Sequence, residues 1–152
     1  MPTVVREGMF ETNSSSSHAL TLRVFNSAKY RDRLDHKDGR LLIAVGQFGW
    51  GESHHRDAIT KASYALTWAM NYAPNRDEAL EFLRKALLSE YPDVKNVVWV
   101  TMDGYGAIDE ERGYIDHQSV DVAQPLFGDD ITVLREFIFD PRYELVIDND
   151  NH

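Results

Sequence analysis

The chain has 152 residues, 43% of them hydrophobic and 27% charged, with no cysteine and a formal net charge of −9. These values fit one globular domain over residues 1–152 and exclude a disulfide scaffold, a zinc–thiolate centre and a cysteine nucleophile. No stretch reaches the roughly 18 apolar residues needed to cross a bilayer, and residues 1–6 carry no apolar export core, so a cytoplasmic protein is expected.

The charge is unevenly placed. Residues 1–102 hold 13 basic and 12 acidic side chains, whereas 103–152 hold 3 and 13. A segment of −10 repels nucleic-acid phosphate, so direct nucleic-acid binding is not expected, and cations or basic protein surfaces are better partners.

In chain order, residues 3–9 form a first candidate strand, followed by the polar run from Glu11 through Asn13, Ser14, Ser15, Ser16 and Ser17 to His18. Residues 19–25 then alternate, with Leu20, Leu22 and Val24 on one face. Asp38-Gly39 is a turn signal before a short strand at 41–45, which suggests a hairpin-like return. The glycine- and aromatic-containing segment 46–51 reads as a tight strand-to-helix turn with Phe48 and Trp50 packed. The strongest helix is predicted from about residue 53 to 73, with Ile59, Ala62, Leu66, Ala69 and Ala73 as one stripe, Tyr64, Trp68 and Tyr72 as another, and Pro74 beyond its end. His54 and His55 then fall at a helix start, about 100° apart, and are expected on the surface.

Asn75 followed by Glu78 predicts a capping box for a second helix faced by Leu80, Leu83 and Leu87 and closed at Tyr91-Pro92. Residues 97–100 are strand-like, 103–106 a turn, and 114–120 a strand of mixed polarity. Asp129 or Asp130 caps a short helix through Phe139, and residues 143–147 form a final strand. Strands, two adjacent helices, strands, a short helix and a strand predict an α+β fold: a mainly antiparallel sheet with two adjacent helices packed on one face and a short third helix.

The serine run supplies the most distinctive chemistry. Hydroxyls and backbone amides in a tight turn bind phosphate, and an imidazole at the rim transfers a proton; an ordinary serine turn is the plainer alternative. Strand parity puts His18 with Leu20 and Leu22, and puts His117 and Ser119 with Ile115, so an inward Ile115 brings a second histidine to the core edge. His117-Gln118-Ser119 matches the His-x-Ser half of the two-histidine phosphoesterase pattern. The other half is missing, because Thr21 lies one position too late after His18. Asn149 has inward parity with Leu145 and Ile147. Asp148 and Asp150, with Asp116, have a spacing that suits a hard cation, but their outward parity favours a solvated acidic end. No dinucleotide fingerprint, phosphate loop, nucleophile elbow or zinc-protease helix occurs, so neither a cofactor nor a metal is expected.

The run from Phe10 to His18, the segment from Gly113 to Ser119 and the ending from Ile147 to His152 resemble a family of uncharacterised small bacteriophage proteins that open with a similar Phe-Glu-Thr-Asn-Ser-rich-His stretch. The resemblance implies a phage gene product acting inside a bacterium, and it implies no activity or catalytic residue. Three functional expectations follow from the residues, the last and plainest being a small accessory protein whose serine run is only a turn and whose acidity serves solubility. The first is a pocket for a phosphate-bearing small molecule or nucleotide, lined by Asn13, Ser14, Ser15, Ser16, Ser17, Ser119 and Asn149, with His18 and His117 as the acid–base pair if the ligand is hydrolysed. The second is a non-enzymatic inhibitor or nucleic-acid mimic that offers its acidic C-terminal third to a basic host protein.

Overall fold

The computed structural model describes residues 16–22, 31–49, 53–100, 113–115 and 122–149. In chain order the elements are β1 (Ser16–Leu22), β2 (Arg40–Ala44), β3 (Gln47–Phe48), β4 (Ser53–His55), α1 (Ala58–Asn71), α2 (Arg76–Glu90), β5 (Asn96–Val100), β6 (Tyr114–Ile115), a 3-10 turn at Gln124–Leu126, α3 (Ile131–Phe139) and β7 (Tyr143–Asn149). The fold is α+β, as the pattern predicts. Strands β1, β7 and β4 form an antiparallel sheet in that order, while β2 pairs with β5 and β3 with β6 in parallel.

Local chemistry explains the helix starts. Asp57 accepts a hydrogen bond from the Thr60 amide at 3.0 Å, so α1 begins at Ala58 rather than near residue 53. Residues 53–55, read in the sequence as the start of that helix, are instead held extended by pairing with β7. Asn75 caps α2 by accepting from the Glu78 amide, and Asp130 caps α3 by accepting from the Thr132 amide. The Asn75 cap is the one predicted from the residue order, and of the two candidates Asp129 and Asp130 the structure uses Asp130.

Helix α1 is buried on almost every side, which is the signature of a central helix. Tyr64 and Trp68 therefore belong to the core, whereas Ile59, placed in the apolar stripe by periodicity, is 49% exposed. Ala79, Leu83, Ala86 and Leu87 give α2 its inner face, and Leu134, Phe137, Ile138 and Phe139 give α3 its own. Each large side chain so buried contributes roughly 1.5–3 kcal/mol.

The parallel pairs are the part that periodicity does not predict. The Asp38-Gly39 turn does form, with φ of 57° and 72°, but it closes only the single bridge between Lys37 and Arg40. Beyond it β2 runs beside β5, so the α1–α2 pair serves as the crossover between parallel strands. Segment 46–49 likewise does more than turn, because Gln47 and Phe48 pair with Tyr114 and Ile115. This pairing depends on Gly113, whose φ is +81° and where a Cβ would lie 2.5 Å from the Gly46 carbonyl oxygen. Ile115 points into the core, and the Tyr72 hydroxyl donates to its carbonyl at 3.0 Å. The strand predicted at residues 3–9 and the turn at 103–106 lie outside the described residues.

Candidate functional site

The sheet β1-β7-β4 brings two of the three predicted site segments together. Its register pairs Ser16 with Asn149, Ser17 with Asp148 and His18 with Ile147. Directly paired positions on antiparallel strands have Cα atoms about 4.5–5.5 Å apart, so the end of the serine run and Asn149 are neighbours although 133 positions separate them in sequence. The third segment, with His117 and Ser119, lies outside the described residues, as do Asn13, Ser14 and Ser15.

The same sheet carries a group that the sequence pattern missed. Ser53 pairs with Ile147 on the opposite side from His18, so positions 18, 147 and 53 form one row across the sheet. Two strand spacings, about 10 Å, separate its ends. Within β4, Ser53 Oγ and His55 Nε2 are 2.9 Å apart, a hydroxyl–imidazole pair on half-buried side chains. Periodicity assigned these residues to a helix, in which i and i+2 side chains diverge; in a strand they share a face.

The neighbouring residues of β4 point to a different partner. His54 Nδ1 lies 3.4 Å and Arg56 Nε 3.7 Å from Glu144 Oε2, and the Glu144 side chain is only 4% exposed. At the start of β7, Lys61 of α1 is fully buried and donates from Nζ to the carbonyl oxygens of Tyr143 at 2.9 Å and Asp140 at 3.1 Å. Burial pushes its ammonium pKa down to about 8, against the opposing pull of Asp140, Asp32, Asp57 and Glu144. Burial also acts to raise the Asp140 carboxyl, but the Arg142 guanidinium and backbone amide outweigh it and hold this group below the usual carboxylate range. Lys61 thus ties α1 to the turn between α3 and β7.

A second tie joins the two outer helices. Arg31 forms paired hydrogen bonds with Glu90 of α2 and Glu136 of α3, at 2.7 to 3.1 Å. With Asp140 held by Arg142 and Glu144 by His54 and Arg56, these contacts engage within the fold several carboxylates of the acidic C-terminal third. That excess is therefore not a uniform external surface among the described residues. No cluster of three or more His, Asp or Glu side chains suited to a metal ion occurs among them, and no helix among them is long and apolar enough to cross a membrane.

A cleft of about 260 Å3 opens at the other end of α1. Trp68, Phe82 and Phe127 line it, together with Ala79, Pro74 and the polar residues Asn75, Glu78 and Gln124. Sequence reading identified Trp68 as part of an aromatic stripe and Asn75 with Glu78 as a cap, but periodicity within one helix cannot show that three separate segments leave a gap between them.

Comparison of the chain with protein-family models, with curated proteins and with solved structures gives no match.

Proposed function

We propose that this chain is a phage-encoded protein that binds a phosphate-bearing small molecule, a nucleotide being the specific expectation, at the end of the β1-β7-β4 sheet where Ser16 and Asn149 are paired. The register carries this reading, since it joins the serine run to the C-terminal strand and sets His18 in one row with Ser53. Serine hydroxyls, an asparagine amide and free backbone amides all donate to phosphate oxygens, and a protonated imidazole adds charge to that recognition. Hydrolysis would follow if His18 and His117 divide the roles of general base and general acid, a metal-free route to phosphodiester cleavage.

The test is a thermal-shift and calorimetric titration of the wild type, His18→Ala and Asn149→Ala with mononucleotides, cyclic nucleotides and inorganic phosphate. A ligand at 100 times its Kd adds about 2.7 kcal/mol to the stability of the folded state. The expected result is a rise in Tm with a nucleotide that both substitutions abolish. No rise with any phosphate compound, or an equal rise in both variants, refutes the proposal. Nucleotide turnover lost in His18→Ala and His117→Ala would extend the reading from binding to catalysis.

A further inference from the structure

The cleft at the α1–α2 junction has a chemistry opposite to that of a phosphate site. Its floor is aromatic: Phe127 lies 4.7 Å from Trp68 and 5.9 Å from Phe82 between ring centroids, so the three rings form a continuous array. Its rim is polar, and among the described residues lining it Glu78 is the sole ionisable one, with no Lys, Arg or His. Asn75, Glu78 and Phe82 follow one another at i, i+3 and i+7, one face of α2, so the carboxylate stands beside the ring it would share with a ligand. Asn75 uses its side-chain oxygen to accept from the Glu78 amide in the helix cap and also lines the cleft.

We propose that this cleft binds a small organic cation, an alkylated ammonium whose methyl groups pack on Phe82 and Phe127 while its charge faces Glu78. Among the described residues the lining holds one carboxylate and no basic group, so an anion meets a repulsion that the positive start of α2 offsets only in part. A fully apolar ligand would leave the rim groups of Asn75, Glu78 and Gln124 desolvated without compensation. An alkylammonium satisfies both halves, since ring faces attract cations through their quadrupole and a carboxylate adds Coulomb attraction. The volume of about 260 Å3, just below the range of about 300–1,000 Å3 usual for ligand pockets, suits a small metabolite rather than a peptide. This reading is independent of the phosphate site on the sheet.

The experiment is a two-dimensional NMR titration of the full chain with choline, with its neutral carbon isostere 3,3-dimethylbutan-1-ol, and with acetate, following the amides of residues 73–82 and the Trp68 indole N–H. Choline is expected to shift these signals saturably, with the isostere about ten-fold weaker and acetate without effect. Glu78→Gln should weaken choline about three- to ten-fold while leaving the weak binding of the isostere in place, and Phe82→Leu should weaken both. Glu78 is exposed and lies in the first turn, so its substitution leaves the fold intact, as the unshifted signals of distant residues will show. Equal binding of choline and the isostere, unchanged choline affinity in Glu78→Gln, or no shift with any probe would each overturn the proposal.

Discussion

Helix α1 begins among charges and ends among aromatic rings, and its two ends use polar groups in opposite ways. Near its start, Lys61, Asp57, Asp32 and Asp140 are bound by main-chain atoms and by one another's fields: Lys61 by two carbonyls, Asp57 by the Thr60 amide, Asp32 by the Ala58 amide at 2.6 Å and Asp140 by Arg142. Near its end, Asn75, Glu78 and Gln124 stand around an open cleft over Trp68 and Phe127. A buried charge that leaves its partners unpaired costs several kcal/mol, so the first set is committed to holding the fold. The second set has polar capacity left for a ligand. An unusual ionisable residue is therefore a weaker pointer to function than a polar group beside empty space.

Breaking the charged end has the largest expected effect. Lys61→Ala removes a fully buried side chain and two hydrogen bonds to the turn before β7, and is expected to cost about 2–5 kcal/mol in urea unfolding. Lys61→Met keeps most of the volume and removes the buried charge, so it should cost less than about 2 kcal/mol. The wild type carries a pH signature that the methionine variant lacks. Because the folded pKa of Lys61, about 8, lies below the unfolded 10.5, the folded state binds fewer protons between these values and stability from this group rises with pH across that window. A wild-type urea midpoint whose change from pH 8 to 10 matches that of Lys61→Met would contradict the assignment.

Cutting the tie between the outer helices comes next. Arg31→Met separates Glu90 from Glu136 and is expected to cost about 1–2 kcal/mol, reduced by the partial exposure of the guanidinium. The Arg31 hydrogen bond holds the Glu136 carboxyl below its usual 4.5, so its contribution is present above that pH and lost as pH falls through the lower folded value. The variant should therefore show a shallower loss of stability in acid than the wild type. The smallest effect belongs to the open end: Glu78→Gln should change stability by under about 0.5 kcal/mol, because the exposed side chain has only its dipole and cap geometry to lose. A large loss in thermal unfolding would mean that Glu78 serves the fold and not the cleft.

Residue order alone determined the features that depend on near neighbours. Asn75 marks its helix start, and Asp129 or Asp130 the next, because a cap is satisfied within three residues, and the final strand is legible at residues 143–147 from the alternation of Tyr143, Leu145 and Ile147, although the fold buries Glu144 and Val146 on its other face as well. The α+β class followed from the order of these elements. Tertiary structure decided the rest. Residues 53–55 are a strand only because β7 lies alongside them, β2 chose a parallel partner across two helices, and Lys61 is buried because α1 sits at the centre with carbonyls of a distant turn above its Nζ. The neighbourhood of Ser16 and Asn149 and the cleft over Trp68 have the same origin. Hydrogen-bond caps and periodicity are short-range, whereas strand partners, burial and empty space are set by segments far apart in the chain, whose meeting no local pattern encodes.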